Sequence, residues 1–597
     1  MLPIPPKPES WQKLSSTLRP KNSLPVYQSS DIAVVAAGTT QGTATALTKQ
    51  CNFITSGSGG VKLPTPVDSG ASVVYFVDND ISTALNIYPH SGGSIDGGTT
   101  NAPKSLAAGK VIGFISEGSN EWITISGSGA YIPSGDTLPT TGITDGQLFT
   151  HTPTGRSVWM KYNSTLAVWA PLFNEGTTTM YVDYANGTDS QNNGGATGTS
   201  AFKTRQFAVN QISGNVGGDV YIYDAGGTIQ EQVTIQGKYS SGNYTLYIIG
   251  TMTTQTSGTI TSATDYSSGT QATITKTAAG WTVNAYADYV FRITGGTGYD
   301  ATNTWKNDYV IESNTATVLT LIGKFFVVPD ATTTYQILSF ASIADGNSHT
   351  LNSAFIPLGN QMPIIIKQFK TQNFKDTHFY PQNGATYSQF TTHSVIASSG
   401  PNAQARGFRS DSYCVHPNLN CLNINNSAVR GFSLLNGSRT AYDAGTNKYG
   451  LTNSLIKAPN PVEISFNATL SYGAGYGNKF VGTTTAGTVL VGVLSVADFL
   501  NTIITTSATG TVGISVEEGS VVRLRGGCDI FGHTSHGISI DSNSVLWAAG
   551  SGSKSRNNGG WGLYTSLSSV GKSVTTNITY SGNTLGTYTA DASSINS

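Results

Sequence analysis

The sequence has little charge, no long apolar run and no recognisable export signal. Charged residues make up only 11% of the 597 residues and the formal net charge is −1, so there is no basic excess to neutralise a phosphate backbone and nucleic acid is not an expected partner. No apolar stretch approaches the roughly 20 residues that cross a bilayer, so membrane insertion is not expected. The start, MLPIPPKPESWQKL, has prolines where an export signal has its apolar segment, which predicts synthesis in the cytoplasm without a signal peptide.

Cysteines and the common catalytic motifs are also scarce. The four cysteines are scattered, and a chain this long needs no disulfide staples. We expect reduced and mostly buried thiols at Cys51, Cys414, Cys421 and Cys528. No G-x-S-x-G, H-E-x-x-H or P-loop pattern occurs. The H-x2-H spacing in FGHTSHG, His533 and His536, predicts a surface loop better than a metal site. Neither a cofactor nor a metal is expected.

Glycine, hydroxyl and amide residues, and aromatic rings are abundant. The chain contains 69 Gly, 28 Tyr, 22 Phe and 8 Trp, and 38% of its residues are hydrophobic. This composition lacks the Glu, Lys, Ala and Leu that fill the exposed faces of helices, yet it supplies enough apolar surface for a core. Short strands with polar outer faces and glycine-rich turns satisfy both conditions. The composition therefore predicts an all-β protein.

A repeat of about 24 residues runs through the C-terminal part of the chain. The segments GISVEEGSVVRL, GISIDSNSVLWA and GLYTSLSSVGKS begin 24 and 25 residues apart, and each carries a Ser-Val pair seven residues after its glycine. A period in the twenties with three short strands per turn is typical of a parallel β-helix. The repeated positions are Gly513, Gly537, Gly562 and Gly586, then Ser520-Val521, Ser544-Val545 and Ser569-Val570, with an earlier glycine pair at Gly407 and Gly431.

The segment MYVDYANGTDSQNNGGATGTSAFKTRQFAVNQI, which starts at Met180, predicts the beginning of a solenoid. An alternating strand ends at an Asn-Gly turn, and Ser200 can cap a helix whose apolar face covers the open end of the first coil. In this helix Phe202, Val209 and Ile212 share the apolar face, while Lys203, Arg205 and Gln206 point outward. The acids Asp183 and Asp189 are best explained by Asx-turns in the preceding loop.

Several segments resemble parts of bacteriophage virion proteins. The block with Tyr181-Val182-Asp183, Gly187, Asp189, Ala201-Phe202-Lys203-Thr204, Ala208 and Gly217-Gly218 resembles the entry to the pectate-lyase-like right-handed β-helix of phage tail spikes. Residues 31–127 and 128–175 resemble small β modules of phage appendages, and the second carries two exposed aromatic residues, Trp159 and Trp169, that need a partner surface. The resemblance implies a bacteriophage tail spike or receptor-binding fibre.

The resemblance also implies a domain order. Small N-terminal β modules precede a right-handed parallel β-helix with a β-barrel-like insertion, and the Pro-rich arm either docks on the virion or is a loose tail. The predicted domains are 1–30, a virion-docking arm; 31–127, an attachment module; 128–175, a connector; 176–257, the β-helix entry with its capping helix; 258–338, the insertion; and 339–597, the β-helix with the C-terminal coils.

For function, the resemblance implies a homotrimeric tail appendage of the virion, made in the host cytoplasm. Residues 1–127 would attach it to a phage tail or head–tail connector protein, and the β-helix would recognise host-surface polysaccharide. Two alternatives stay open. One is a spike that also cleaves its glycan, as a hydrolase or a lyase. The other is a structural or decoration fibre of the virion without enzymatic activity.

The coil repeat places two acids side by side. Within GISVE and GISID the isoleucines and Val516 face the core, so Glu517 and Asp541 face outward at the same position of consecutive coils. Such a pair either shares a proton, binds a cation, meets Arg523 or Arg525, or splays into water. A catalytic pair for glycoside cleavage, with carboxylates about 5 Å apart, and a solvated pair at a strand end are both possible interpretations.

The same repeat places Arg523 and Trp547 in one outward column beside Arg525. An outward tryptophan next to arginines is a candidate platform for a sugar ring or a cation–π pair, and burial between chains of a trimer is the alternative. These three residues are the predicted substrate-binding group. The acids Asp376, Asp411, Asp443 and Glu463 of the central coils are isolated in the sequence, and their partners cannot be read from it.

Overall fold

A computed structural model describes most of the chain from residue 30 onward. The described residues are 30–49, 51–65, 74–117, 120–124, 134–135, 137–140, 148–152, 157–163, 168–175, 177–240, 244–267, 270–360, 362–385, 388–396, 406–416, 418–425, 430–440, 442–443, 448–466, 468–470, 477–483, 487–507, 512–566, 569–572, 574–590 and 594–596. The predicted virion-docking arm, apart from Ser30, lies outside them.

The chain divides into two compact units. The first comprises Met1–Gly135, Pro139–Thr150 and Met160–Ala170, and the second comprises Asp136–Leu138, His151–Trp159 and Pro171–Ser597. Half of the molecule is strand and 4% is helix, and the second unit contains a β-solenoid; the whole solenoid has about 18 turns. The predicted fold class is thereby confirmed.

The N-terminal part of the first unit contains two small sheets. Alternating apolar residues of their strands form a separate core, with Ile54, Val77, Leu85, Ile112 and Trp122 at its centre. The six-stranded sheet has the order Ser30–Ala36, Cys51–Gly57, Val74–Asn79, Lys110–Glu117, Glu121–Thr124, Ser94–Ile95. The four-stranded sheet has the order Thr45–Ala46, Gly60–Lys62, Leu85–Tyr88, Lys104–Leu106.

The connector carries four further strands. They are Ser134–Gly135, Leu148–His151, Ser157–Asn163 and Val168–Glu175. The prediction that Trp169 is exposed is wrong: the ring is only 5% exposed. It packs against Phe149 and Tyr162, with centroid distances of 5.8 and 5.3 Å. Its Nε1 donates to the carbonyl of Pro139 (3.0 Å), so the ring is satisfied within its own unit. The side chain of Trp159 lies outside the described residues.

The solenoid is built from three sheets of parallel strands, in which one short pair, Tyr442–Asp443 with Lys448–Thr452, is antiparallel. Sheet 1 follows Thr178–Val182, Val220–Asp224, Leu246–Ile249, Ile364–Gln372, Ser388–Ile396, Asn418–Asn425, Leu455–Ala458, Lys479–Gly482, Ile503–Thr506, Asp529–Phe531, Ser553–Arg556 and Ile578–Ser581, with Gly227–Ile229, Ser342–Asp345, Tyr442–Asp443 and Lys448–Thr452 beside this path. Sheet 2 follows Val233–Gln236, Phe355–Leu358, Thr377–Phe379, Arg406–Ser410, Arg430–Leu434, Asn460–Ile464, Val489–Val491, Ile514–Val516, Ile538–Ile540, Trp561–Thr565 and Gly586–Ala590. Sheet 3 follows Val415–His416, Arg439–Thr440, Thr469–Leu470, Val496–Phe499, Val521–Leu524, Val545–Ala548, Val570–Lys572 and Ser594–Asn596.

The C-terminal coils follow the predicted register. Ile514 pairs with Ile538 and Val516 with Ile540, and all four side chains are fully buried. Close approach explains the glycine column: a Cβ at Gly513 would lie 2.4 Å from a backbone carbonyl oxygen of the next coil. The fourth glycine of the repeat is displaced by one position, because Gly586 pairs with Trp561 rather than with Gly562.

Neutral side chains form ladders between these coils. The hydroxyl of Ser520 accepts from the backbone N–H of Ser495 (3.1 Å), Ser544 accepts from that of Ser520 (3.1 Å), and Ser569 accepts from that of Ser544 (3.3 Å). The serines of the Ser-Val pairs are therefore buried in the turns before sheet 3, where each satisfies a backbone donor of the preceding coil.

A short helix stands at the solenoid entry, but its details differ from the prediction. Helix α1 is Arg205–Asn210, preceded by a 3₁₀ turn at Gly198–Ser200. Its N-cap is Thr204 rather than Ser200, and the Thr204 hydroxyl accepts from the N–H of Phe207 (3.2 Å). The predicted apolar residues Phe202, Val209 and Ile212 are buried. Among the described residues, the other helical elements are the 3₁₀ turn Thr304–Asn307 and helix α2, Val574–Asn577.

The prediction that Arg205 points outward is wrong. The residue is completely buried, and its Nε donates to Asp224 Oδ2 at 2.6 Å. Its Nη1 donates to Glu231 Oε1 at 3.2 Å, and its guanidinium lies 5.1 Å from the centroid of the Phe369 ring. The helical period gave no sign of this, because both carboxylates come from later segments: Asp224 ends the strand Val220–Asp224, and Glu231 lies in the loop before the strand Val233–Gln236.

An antiparallel insertion interrupts the third coil of the solenoid, between the sheet 1 strand Leu246–Ile249 and the strand Ser342–Asp345. Its seven strands have the order Met252–Thr259, Thr334–Phe340, Val290–Gly295, Asp308–Asn314, Val318–Leu321, Ala272–Thr275 and Ser262–Thr264. The insertion lies along the outer face of sheet 1. Nδ2 of Asn423 donates to Asp288 (3.0 Å), and the hydroxyl of Tyr266 donates to the carbonyl of Gly527 (2.8 Å).

The described cysteine side chains agree with the sequence prediction. Cys414, Cys421 and Cys528 are free and buried, and burial raises the pKa of each thiol. The side chain of Cys51 lies outside the described residues. No helix in the described part of the chain has the length and apolarity needed to span a bilayer.

Candidate functional site

The predicted carboxylate pair, Glu517 and Asp541, lies directly after strands of sheet 2 in consecutive coils. The N–H of Asp541 donates to the carbonyl of Val516 (2.8 Å), which sets the two acids one coil apart. Each carboxylate also has a serine partner: Ser515 Oγ donates to Glu517 Oε1 (2.6 Å) and Ser566 Oγ donates to Asp541 Oδ1 (2.8 Å). Within the described residues, no group of three or more acidic, histidine or cysteine side chains is arranged to hold a metal ion. A catalytic role for the pair stays a prediction.

The predicted substrate-binding group lies on the outer face of sheet 3. Arg523 and Trp547 pair across coils, and the guanidinium lies 5.3 Å from the ring centroid. Asp498 of the preceding coil lies 3.9 Å from Nη1 of Arg523 and 3.3 Å from Nη2 of Arg525. Trp547 is 41% exposed. The cation–π alternative is thus realised, while sugar contact stays a prediction.

The two histidines of the H-x2-H pattern face different surroundings. His533, predicted in a surface loop, is buried, and burial lowers its pKa to about 4. Its backbone N–H donates to Asn558 Oδ1 (3.2 Å), so this turn is part of a ladder of hydrogen bonds between coils. His536 stacks on Tyr564 with a centroid distance of 4.6 Å. The rings therefore have separate structural roles.

The two loop acids at the solenoid entry are occupied by the local backbone. Asp183 Oδ1 accepts from the N–H groups of Ala185 and Asn186, both at 3.1 Å, which confirms the predicted Asx-turn. Asp189 Oδ1 instead accepts from the N–H groups of Lys203 and Thr204, at 2.8 and 2.9 Å. It therefore ties the loop to the start of helix α1.

Acids that are isolated in the sequence meet arginines on the outside of sheet 2. Each of three carboxylates has its own arginine partner. The pairs are Arg406–Asp376 (3.4 Å), Arg409–Asp411 (2.8 Å) and Arg430–Glu463. The sequence could not show this charged row, because its members meet only when successive coils stack. The side chain of Asp443 lies outside the described residues.

Within this row, Asp411 is held as a fixed ion rather than as a proton donor. Burial by itself would raise the pKa of Asp411, but hydrogen bonds from Asn436 and Arg409 outweigh it and lower the pKa. The Arg409 guanidinium also lies 5.0 Å from the centroid of the Tyr380 ring. A carboxyl group held ionised in this way does not supply a proton at neutral pH.

A row of tyrosines covers the outer face of sheet 1 in the first three coils. Tyr221 and Tyr247 stack with a centroid distance of 4.6 Å and an interplanar angle of 4°. Tyr221 and Tyr223 stack at 6.1 Å, and Tyr181 and Tyr223 at 5.8 Å. The motifs VYIYD and LYIIG carried the signal, as tyrosines at outward positions of alternating strands. Sequence reasoning identified the strands and missed the row.

A cavity of about 470 Å³ lies beside this tyrosine row, between sheet 1 and the insertion. We call it the junction cavity. Sheet 1 contributes Tyr247 and Lys367 to its lining, and the insertion contributes Arg292, Tyr299 and Asp308. Pockets of this size hold small organic ligands. Aromatic faces, cations and hydroxyl groups together suit a polar ring with an apolar face, such as a sugar.

Comparison with protein families gave no match to any family model, and no curated protein matches the chain. Among solved structures, the chain is similar to the crystal structure of the tailspike protein gp49 from Pseudomonas phage LKA1. The two are 12% identical with a TM-score of 0.22, over 64% of this chain and 66% of that one.

Two further tailspikes match to a similar extent. The Pseudomonas phage phi297 tailspike gp61 is 11% identical with a TM-score of 0.18, over 64% of this chain and 75% of that one. The Gp54 tailspike of Acinetobacter baumannii bacteriophage AP22, solved in complex with A. baumannii capsular saccharide, is 8% identical with a TM-score of 0.19, over 63% and 71%. With TM-scores below 0.5, these matches carry no conclusion about the function of this chain.

Proposed function

We propose that this protein is a bacteriophage tail spike that recognises a host-surface polysaccharide through the solenoid. The observation that carries the proposal is the tyrosine row on sheet 1, formed by Tyr181, Tyr221, Tyr223 and Tyr247, which ends at the junction cavity. Because neighbouring rings of the row stack on one another, the row presents ring edges and phenol hydroxyls, which suit the apolar and the polar groups of a sugar respectively. A row repeated at the coil spacing suits a linear polymer better than a single small molecule.

The N-terminal segments complete the proposal. Residues 1–127 attach the spike to a phage tail or head–tail connector protein, 128–175 link this module to the solenoid, and the molecule assembles as a homotrimer. The support is the resemblance of these segments to phage appendage modules. The Pro-rich start of the chain, with prolines at positions 3, 5, 6 and 8, suits docking on a larger surface because it cannot form its own core.

Binding to bacterial glycans tests the recognition role. The purified protein is titrated against a panel of bacterial capsular polysaccharides and lipopolysaccharides, and released oligosaccharides are measured in parallel. Binding without product supports an adhesin, and depolymerisation supports a cleaving spike. Absence of both on every glycan, including that of a bacterium the phage infects, contradicts the proposal and favours a structural fibre.

The tyrosine row is tested by a double variant, Tyr221→Ala with Tyr247→Ala. Losing two rings with their hydroxyls should weaken polysaccharide binding by about ten-fold. Tyr588→Ala, an exposed tyrosine in the last coils, is the matched control and should leave binding unchanged. Equal binding by the double variant and the control would show that the row is not the recognition surface.

A cleaving spike is the second candidate, and the alignment of Glu517 and Asp541 in consecutive coils is the observation that favours it. In this role one carboxyl group protonates the leaving oxygen and the other stabilises or attacks the sugar. The hydrogen bonds from Ser515 and Ser566 to the two acids would have to break when substrate binds.

A further inference from the structure

We propose that the junction cavity binds an acidic sugar, a ring that carries a carboxylate, within the recognised polysaccharide. This inference rests on the proposed function and adds the charge of the ligand to it. It depends on two cations that the insertion and sheet 1 bring to the same cavity, Arg292 and Lys367.

The guanidinium of Arg292 is held in a fixed orientation. Its Nε and Nη2 donate to the two carboxylate oxygens of Asp308, at 2.6 and 2.7 Å. With the Gln368 amide oriented to satisfy its neighbours, its oxygen accepts from Nη2 of Arg292 at 2.9 Å and its nitrogen donates to the carbonyl of Gly250 at 3.0 Å. Because Asp308 is almost fully buried, it serves to position Arg292. Nη1 of Arg292 makes no hydrogen bond to any described residue, which leaves this donor for a ligand.

Lys367 supplies a second positive charge without a carboxylate of its own. In the described part of the chain it forms no ion pair, although it lies half-buried in sheet 1. Burial, followed by the nearby charge of Arg292, lowers its pKa, although the charge of Asp308 acts in the opposite direction. A ligand carboxylate in this cavity would relieve the repulsion between the two cations and replace the water that Lys367 has lost. The free cavity therefore favours an anion over a neutral ring.

The residue after Lys367, Gln368, has a strained backbone conformation that affects the lining of the cavity. Gln368 has a φ of 68° inside a strand, a conformation that non-glycine residues adopt at a cost of about 1–3 kcal/mol. Gly250 makes room for it, since a Cβ at that position would lie 2.2 Å from the Gln368 carbonyl oxygen. This conformation brings the Gln368 amide to Arg292, so the strain helps to position the cation.

The surface of the last coils provides a contrast. There Arg523 and Arg525 share Asp498, and Arg523 also covers Trp547. Each of these arginines has a carboxylate contact. In both places one carboxylate faces two cations, so the charges sum to about +1. The difference is that Lys367 forms no ion pair in the described part of the chain and lines a cavity that a ligand can enter.

The test uses saturation-transfer NMR on the full-length protein, with glucuronate, galacturonate and N-acetylneuraminate as acidic probes. Glucose and galactose are the neutral probes. We expect at least one acidic probe to bind at least ten-fold more tightly than its neutral counterpart. Lys367→Gln should abolish this preference, since a hydrogen bond between charged groups is worth roughly ten-fold or more in affinity. Lys367→Arg keeps the charge and should retain the preference.

Lys457→Gln is the matched control, because Lys457 lies on the same sheet and outside the cavity lining. It should leave the preference unchanged. Equal binding of acidic and neutral probes, or an unchanged preference in Lys367→Gln, would overturn the proposal. So would the absence of binding by every acidic probe.

These failures differ from a failure of the proposed function. If the protein binds a bacterial polysaccharide with equal affinity before and after Lys367→Gln, the spike role stands and the acidic-sugar site falls. If the protein binds no bacterial polysaccharide at all, the spike role itself falls.

Discussion

The early coils and the last coils of the solenoid bury polar groups in different ways. In the early part, residues 177–396, the fully buried Arg205 contacts two buried acids, Asp224 and Glu231. In the last part, residues 487–590, neutral serine and asparagine side chains repeat from coil to coil, as in the ladder through Ser520 and Ser544.

The difference explains where a specific site can form. A neutral ladder needs only the same residue in every coil, so it extends along the solenoid and makes each coil alike. A buried charge needs a partner of its own, and an unmatched one is costly. The last coils also contain such a pair, Arg556 with the fully buried Asp529. The insertion joins the solenoid in the early part, and the junction cavity lies there.

The largest loss of stability is expected when Arg205 is replaced. Arg205→Met leaves Asp224 and Glu231 buried without a counter-charge, which should destabilise the solenoid by about 3–5 kcal/mol. Urea-induced unfolding measures the change. Lys203→Met, an exposed neighbour, is the control and should cost about 0.5 kcal/mol or less. A similar cost for both variants would contradict the distinction between buried and surface charge.

The second-largest loss of stability is expected in the early coils when the pH is lowered. Burial lowers the pKa of His393 to about 4, below its value of about 6.5 in an unfolded chain. The unfolded state therefore binds more protons between these values, so stability is complete above about pH 6.5 and falls as the pH drops towards 4. The loss is on the order of 2–3 kcal/mol.

Denaturation at pH 7.5, 6, 5 and 4 measures the slope. His393→Gln removes the titrating ring and should make the slope shallower than in the unaltered protein. An equal slope would mean that other groups cause the acid sensitivity, with His533 of the last coils, whose pKa is also lowered to about 4, as the next residue to test.

A smaller effect is expected from breaking the neutral ladder. Ser544→Ala removes the acceptor of the Ser520 N–H and should cost about 1–2 kcal/mol, the typical cost of a buried donor left without a partner. Hydrogen exchange of this amide provides a local readout and should become faster. A cost as large as that of Arg205→Met would remove the contrast between the two regions.

The smallest effect on stability is expected at the carboxylate pair. Replacing both Glu517 and Asp541 by Ala should leave a folded protein, within about 1 kcal/mol of the unaltered one, since both side chains lie at partly exposed strand ends. Depolymerase activity is measured alongside. Its loss in a folded variant supports the cleaving spike, and unchanged activity contradicts a catalytic role for the pair.

The success of the sequence-based predictions depended on repetition. The register of Ile514, Val516, Ile538 and Ile540 could be predicted because the same pattern recurs every 24 or 25 residues. Arg205 has no such repeat. Its spacing in an amphipathic helix indicated an outward position, and the pairing with buried acids overrode that pattern.

The candidate site shows the same limit. Arg523 and Trp547 were placed in one column from the repeat, and they do pair across coils. The junction cavity could not be predicted, because Lys367 and Arg292 are 75 positions apart in the sequence. Lys367 belongs to sheet 1 and Arg292 to the insertion, and only the folded structure brings them together. The tyrosine row was visible in part, since its members occupy outward positions of alternating strands, but their stacking depends on coil register.

By itself, the sequence determined that this chain forms a β-solenoid with a charge-poor surface, because side-chain alternation and coil period are local properties that repeat. Only the tertiary structure decided which polar groups meet. Arg205 with its two acids, the arginine–carboxylate row of sheet 2, and the two cations of the junction cavity all depend on contacts between distant segments. Electrostatic partners are chosen by distance in space, and in a solenoid that distance is set by how coils and insertion stack.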